Sequence, residues 1–315
     1  MKRKALVTGC AGFIGSTLSE ALIKQGYHVT GVDCFTGNYP RWIKERNLQS
    51  LINYPNFTWI EADLCKLDLK SLVDEQNVVF HQAALPGVRL SWNKEFKEYV
   101  DNNILATQLL LEAVKNSNID KFVYASSSSI YGSMNGPTKE EQIPSPYSPY
   151  GSTKLSGEHL CHLYFANYQV PVVSLRYFTV YGPRQRPDMA FHRFIKNILL
   201  DQPINVFGDG SQTRDFTFIK DAVKANLLAM EKGKPGEVYN VGGGSNIALI
   251  DVIETLGKIM SKQPKINYLP EQPGDAKHTN SDISKAQLEL GYSPSYPLEK
   301  GLTEQVAYIK SLYKL

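Results

Sequence analysis

The run Gly9-Cys-Ala-Gly12-Phe-Ile-Gly15 constrains this chain more than any other stretch. It follows a short apolar segment, Ala5-Leu-Val-Thr8, and leads into a helical pattern that continues to about Gly26. Strand, glycine loop and helix in that order form the start of a βαβ unit. Gly9 permits a tight turn, Gly12 lets the backbone approach a pyrophosphate, and Gly15 allows the helix to pack close to the strand. The positive end of the helix then faces the phosphates. Tyr27 to Asp33 reads as the second strand, and Asp33 lies where an acid accepts hydrogen bonds from adenosine ribose hydroxyls. A carboxylate there repels a 2′-phosphate, and the next basic residue is Arg41. The expected dinucleotide is therefore NAD rather than NADP.

Alternation of strands and helices continues. Asn38–Tyr54 carries a helical pattern, Asn56–Asp63 and Asn77–His81 read as strands, Glu95–Asn116 as a long helix, and Lys121–Ser126 as a fifth strand. This pattern predicts a doubly wound parallel α/β sheet, Rossmann-like, with its ligand at the carboxyl ends of the strands. The glycine loop, Asp33, Ala83 and Ser127 all fall at that edge. Ala83 and Ala84 are small enough for a cofactor to approach the backbone. His81, at a strand end, reads as structural. After the sixth strand, Val170–Arg176, the composition shifts to short mixed elements. The expected division is residues 1–178 as the dinucleotide domain and 179–315 as a smaller interleaved lobe. Segments near 213–221 and 236–245 are expected to return to the main sheet.

Composition narrows the function classes. In 315 residues, 34 Lys+Arg against 31 Asp+Glu give a net charge of +3. No basic block points to nucleic acid and no polybasic tail to a membrane. The N-terminus has too short an apolar run for a signal peptide, and no apolar stretch is long enough to span a bilayer. The cysteines, Cys10, Cys34, Cys65 and Cys161, follow no metal spacing. The expectation is a cytoplasmic protein with reduced thiols and no metal.

The chemistry is expected at Tyr150-Gly-Ser-Thr-Lys154, which opens a helical run to Tyr168. Residues four apart share a helical face, so the phenol and the ammonium can point the same way. A nearby ammonium favours the phenolate, and such a tyrosine can exchange a proton with a sugar hydroxyl. Upstream, Ser126–Ser129 offers hydroxyl partners.

Taken together, the Gly-x-x-Gly-x-x-Gly spacing, the Tyr-x-x-x-Lys pair and the serine run resemble the short-chain dehydrogenase/reductase superfamily, in its extended, nucleotide-sugar-modifying branch. The resemblance covers nearly the whole chain and implies a fixed set of roles. Tyr150 is the base, Lys154 lowers its pKa and binds the nicotinamide ribose, and Ser127 assists at the sugar hydroxyl. Gly9, Gly12, Phe13, Ile14, Gly15, Asp33, Asp63, Leu64, Ala83, Ala84, Asn103 and Tyr177 join them around NAD. Ser128, Ser129, Thr179, Arg186, Phe207, Arg214 and Asp275 fall on the side of a UDP-sugar. Phe207 is expected near the uracil, Arg214 at the diphosphate and Asp275 at the nucleotide ribose or nearby cations. The family also implies a homodimer joined through the helices near 95–116 and 150–168.

Two segments separate the relatives. Sugar-nucleotide 4,6-dehydratases and UDP-xylose-forming decarboxylases carry a glutamate just before the hydrophobic-Tyr-Gly run, where this chain has Ser128 and Ser129. A hydroxyl cannot replace that carboxylate in proton abstraction. The run Phe178-Thr-Val-Tyr-Gly-Pro-Arg-Gln-Arg186-Pro-Asp-Met-Ala190 resembles UDP-glucuronate 4-epimerases, and Arg186 offers a guanidinium for a sugar carboxylate. The expected activity is interconversion of UDP-glucuronate and UDP-galacturonate. Alternatives are an epimerase of UDP-glucose or a UDP-N-acetylhexosamine, a UDP-glucuronate decarboxylase, and a non-catalytic NAD-sensing scaffold, which would normally have lost Tyr150 or Lys154.

Overall fold

A computed structural model describes residues 3–133, 136–271 and 276–315. In chain order its first half contains β1 (Lys4–Thr8), α1 (Phe13–Lys24), β2 (His28–Asp33), α2 (Arg41–Leu48), β3 (Phe57–Glu61), α3 (Leu69–Asp74), β4 (Val78–His81), α4 (Phe96–Tyr99), α5 (Ala106–Val114), β5 (Lys121–Ser127) and α6 (Pro149–Tyr168). The second half contains β6 (Val172–Tyr177), β7 (Thr179–Tyr181), α7 (Ala190–Leu199), β8 (Ile204–Phe207), β9 (Thr213–Arg214), β10 (Phe216–Phe218), α8 (Ile219–Lys232), β11 (Val238–Val241), β12 (Ile247–Ala248), α9 (Leu249–Met260), β13 (Ile266–Leu269), α10 (Ser284–Leu290) and α11 (Leu298–Tyr313).

Seven parallel strands form one sheet in the order β11-β6-β5-β4-β1-β2-β3. Alternation of side chains along each strand supplies both faces. Ala5 and Val7 point into a core shared with Leu18 and Leu22 of α1 and with Ala222 and Ala225 of α8. Leu6 points to the opposite core, with Val73 of α3, Leu110 of α5, and Cys161 and Tyr164 of α6. This is the doubly wound arrangement that the alternating pattern implies.

Three local expectations are corrected. The segment 213–221 does not enter the main sheet: β10 pairs with β7 in a separate two-stranded sheet, and β9 pairs with β12. The chain regains the main layer through α8, whose neighbours include α1, β5 and β6. The segment 236–245 does rejoin the sheet, because β11 lies beside β6 as its edge strand. The long helix expected over 95–116 is broken by a π-helical stretch, Val100–Leu105, between α4 and α5. Such a turn re-aims side chains within one helix and recurs near functional sites. The helical pattern of 38–54 is helix only over α2, which begins after Pro40 fixes the entry to its first turn.

Candidate active site

A cleft of about 390 Å³ runs along the carboxyl ends of β1, β2, β4, β5 and β6. Its lining includes Gly9, Gly12, Phe13, Ile14, Gly15, Asp33, Asp63, Leu64, Ala83, Ala84, Ser127, Ser128, Ser129, Tyr150, Lys154, Tyr177, Thr179 and Arg186. Residues far apart in sequence thus meet in one place.

The glycine loop is shaped by contact as well as by conformation. Gly9 has φ +69°, and a Cβ on it would lie 2.8 Å from the Ala83 backbone. A Cβ on Gly15 would lie 2.2 Å from the Gly9 carbonyl oxygen. Gly12 precedes the first residue of α1 and has no side chain to cap it, so the helix N-terminus is left to face an anion. At the far end of β2, Asp33 accepts hydrogen bonds from the Ala11 and Phe35 N–H groups at 3.2 and 2.8 Å. Burial pushes its pKa up, while Lys44 and those two N–H groups pull it down. A glycine loop at a helix N-terminus, a carboxylate at the end of β2 and small residues at 83–84, all on one cleft, fit an adenine dinucleotide without a 2′-phosphate.

Tyr150 stands in the first turn of α6. Ser148 caps that helix by accepting the Gly151 N–H at 3.1 Å, and Pro149 occupies the first turn, where a missing N–H does no harm. The helix lies tight on β5: a Cβ on Gly157 would come within 2.1 Å of the Tyr124 hydroxyl. Tyr150 is half-buried, packs edge-on against Tyr99 at 6.3 Å, and hydrogen-bonds Ser127. Ser127 also accepts the Ser129 N–H at 3.1 Å, which shapes the serine turn.

Charge around Tyr150 differs from the expectation. Desolvation raises its pKa, opposed by the Ser127 hydrogen bond and by the charge of Arg186, not of Lys154. The Lys154 ammonium instead lies 4.3 Å from the centre of the Tyr124 ring. It is 2% exposed, and burial lowers its pKa to about 8. Helical spacing puts the two residues on one face but does not set the direction of a four-carbon side chain.

Arg186 donates through Nε and Nη2 to both oxygens of Asp188, at 3.0 and 2.8 Å. That pairing takes one edge of the guanidinium and leaves the Nη1–Nη2 edge for a second carboxylate. Tyr39, also on the cleft wall, is 7% exposed, and its hydroxyl has no hydrogen-bond partner among the described residues. Neither Tyr39 nor the buried Lys44 was anticipated as a site residue. Lys44 donates to Thr36 and lies near Asp33. The available signal was a lysine in the helix that follows Asp33.

Asn103 does not line the cleft. It is 1% exposed and sits behind the wall, bonded to the Leu85 N–H at 2.7 Å, the Leu85 carbonyl at 3.0 Å and the Thr153 hydroxyl at 3.0 Å. It therefore fixes the 85–87 loop to α6. His81 belongs to the same buried scaffold. Its ring nitrogens meet the Thr8 and Thr107 hydroxyls at 2.8 and 2.9 Å, and Thr107 donates to the Asn103 carbonyl at 2.7 Å. With the Thr107 proton so used, the neutral Nε2–H tautomer satisfies the chain. Burial lowers the His81 pKa to about 3, which keeps it neutral.

Phe207 and Arg214 line a separate pocket of about 70 Å³ with Asp209, Ser211, Gln212, Glu271, Ala276 and Lys277. Asp275 lies outside the described residues. The Tyr177 hydroxyl donates to Asn226 at 2.9 Å.

Comparison with known proteins agrees with this geometry. Residues 5–242 match the NAD dependent epimerase/dehydratase family. An uncharacterized UDP-glucose epimerase of Bacillus subtilis, YtcB, is 47% identical over 99% of both chains. The UDP-glucuronate 4-epimerase of Thermodesulfobacterium geofontis is 40% identical over 98% of this chain and 97% of its own. The Bacillus cereus UDP-glucuronic acid 4-epimerase, solved with UDP-glucuronic acid and NAD, superposes with a TM-score of 0.97 at 52% identity, covering 98% of this chain and all of that one. With a phosphate cradle, Asp33, and Tyr150, Lys154 and Ser127 gathered along one cleft, this chain belongs to the NAD dependent epimerase/dehydratase family.

Proposed function

We propose that this protein is an NAD-dependent UDP-glucuronate 4-epimerase, interconverting UDP-glucuronate and UDP-galacturonate through a transient 4-keto sugar. The observation that carries the reading is Arg186, whose free guanidinium edge belongs to the same cleft as Tyr150. Relatives named for UDP-glucuronate support it.

Tyr150 exchanges the proton of the sugar C4 hydroxyl, and Ser127 orients that hydroxyl. NAD held in this cleft would supply reversible hydride transfer at C4, which inverts that centre once the ketone has presented its opposite face. Gly9, Gly12, Phe13, Ile14 and Gly15 hold its diphosphate, and Asp33 its adenosine ribose. Asp63, Leu64, Ala83, Ala84, Lys154 and Tyr177 complete that side. Ser128, Ser129, Thr179 and Arg186 surround the sugar, while Phe207 and Arg214 hold the nucleotide end.

The 4-keto sugar is a β-keto acid. Loss of carbon dioxide requires the C5–C6 bond to align with the ketone π system. Arg186 holds the carboxylate so that this bond stays near the ketone plane. Ser128 and Ser129, lacking a carboxylate, provide no base for elimination. Four free thiols accord with a cytoplasmic enzyme. Phe96, Leu105, Leu163 and Tyr168 stand exposed on α4, the π-helical stretch and α6, and we assign this face to a homodimer. Among the described residues no helix is long and apolar enough to cross a membrane.

Incubation with UDP-glucuronate, UDP-glucose and UDP-N-acetylglucosamine, with products resolved by chromatography, tests the assignment. The expected product is UDP-galacturonate, with NAD recovered from the denatured protein. Turnover of UDP-glucose alone would give the protein the activity named for its B. subtilis relative.

A further inference from the structure

Behind the cleft lies a buried charge cluster that the proposed reaction does not use directly. Glu158 is one helical turn beyond Lys154 on α6 and is 5% exposed. Its Oε1 accepts from Arg176 Nη2 at 2.6 Å, and its Oε2 accepts from Arg176 Nε at 3.1 Å and from the Ser126 hydroxyl at 2.6 Å. Arg176 is also 5% exposed and donates through Nη1 to the Tyr131 hydroxyl at 2.6 Å and the Glu140 carbonyl at 2.9 Å. Tyr131 in turn donates to Asn240 on β11 at 2.8 Å.

Each partner adjoins a residue of the cleft. Ser126 precedes Ser127, Arg176 precedes Tyr177, and Glu158 shares a helical face with Tyr150 and Lys154. A buried ion pair of this kind seldom gains stability over apolar residues of equal volume, but it admits few alternative registers. An apolar contact would hold α6 on the sheet equally well without fixing its rotation or slide.

We infer that Glu158 is a positioning residue of the reaction: its carboxylate, held between Arg176 and Ser126, locks the Tyr150–Lys154 face of α6 against the ends of β5 and β6 and sets the field at Lys154. The inference rests on the assignment of Tyr150, Lys154 and Ser127 to the chemistry. Around the Lys154 ammonium stand Glu158 and Cys161 on its own helix, Tyr124 on β5 and His81 on β4. Of these, Glu158 is the carboxylic acid, and it is ion-paired with Arg176. Burial depresses the Lys154 pKa, and Cys161 and Glu158 oppose that depression.

The test uses the full-length protein labelled with 13C at the lysine ε-carbons. The Lys154 resonance is assigned by its absence in Lys154→Arg. In Glu158→Gln it is expected to titrate at lower pH than in the wild type. Over the same variant kcat falls by about 10²-fold, the scale of a displacement near 1 Å, while KM stays within about threefold. A lone arginine left buried can unfold the single variant. The double variant Glu158→Gln/Arg176→Met leaves no unpaired charge; it removes one charge of each sign, so the loss of kcat is expected to persist while the Lys154 titration moves less than in the single variant. A folded Glu158→Gln with an unmoved Lys154 titration, or either variant folded with an unchanged kcat, overturns the inference. The titration needs no substrate, so failure of the UDP-glucuronate assignment would show separately, as absence of turnover in the wild type.

Discussion

Helix α6, which carries Tyr150 and Lys154, and the segment 182–189 line the same cleft but hold their side chains differently. On α6 the inward-facing Glu158 and Thr153 are tied to neighbouring elements or to the helix itself. Glu158 is held by Arg176 and Ser126, and Thr153 bonds Asn103 and the Tyr150 carbonyl. The 182–189 segment is anchored away from the cleft, by Gly182 and Gln185 to Gln305 of α11 and by Arg184 to Glu20 of α1. Arg184 adopts φ +69°, a conformation that disfavours side chains, and its buried Nη1 has no hydrogen-bond partner among the described residues. Arg186 leans on Asp188, two residues along the same segment, rather than on the scaffold. The comparison suggests a division of labour. Under the proposed assignment, proton transfer, which tolerates little displacement, sits on a rigid element, whereas substrate choice rests on Arg186, whose side chain can be exchanged without touching the segment's anchors.

The largest expected effect breaks the rigid side. Tyr150→Phe keeps the ring and its edge contact with Tyr99 but removes the proton-transfer group. Activity on UDP-glucuronate should fall by about 10²–10⁴-fold, with NAD still recovered from the protein. A variant within a few-fold of wild type would move the proton-transfer role to another residue.

A smaller effect is expected on the adjustable side. Arg186→Ala removes the proposed carboxylate clamp and leaves Asp188 without its arginine partner. Turnover of UDP-glucuronate should drop by about 10–10²-fold, the range for loss of a charge-assisted pair. The share of decarboxylated pentose among the products should rise, and thermal stability should stay near that of the wild type. Arg186→Lys should restore charge but not the fork, and so recover only part of the selectivity. Normal epimerisation with no pentose product would remove the clamp from the mechanism and weaken the contrast between the two regions.

Legibility in the sequence follows a related boundary. The glycine loop could be read because its requirements are local: a positive φ at Gly9 and room for backbone contact at Gly15. The sheet could be read because strand and helix periods alternate over five repeats. Register between distant elements could not. Glu158, Arg176 and Ser126 are unremarkable in sequence and become a cluster only when β5, β6 and α6 lie side by side. Asn103 was expected at the cofactor, yet its amide faces the 85–87 loop, because the π-helical stretch around it changes which side chains point inward. The expected effect of Lys154 on Tyr150 met a different obstacle. Spacing specifies a shared face, but the Tyr124 ring beneath the ammonium determines where the charge rests.

The smallest effect sharpens the contrast through pH. Burial lowers the Lys154 pKa to about 8, from an ordinary value of 10.5. If the reaction needs the ammonium, activity follows its charged fraction and should fall by about twofold between pH 7 and pH 8. Stability should move the other way. Below pH 8 the lysine is charged in both the folded and unfolded states, and the burial penalty stands in full. From pH 8 upward the folded state loses its proton first, while the unfolded chain keeps one up to its ordinary pKa. The unfolded state then binds more protons, so the free energy of unfolding rises with pH, by at most about 1.4 kcal/mol per unit. The useful window is pH 8–10, because buried tyrosines begin to oppose the trend once the unfolded chain ionises its phenols near 10. Urea unfolding and initial rates measured on the same preparation across that window should therefore diverge, with activity falling as stability rises. In Lys154→Met the rising component of stability should vanish. A parallel fall of both quantities in the wild type would mean that the alkaline loss of activity is unfolding, and that Lys154 is not the group that titrates.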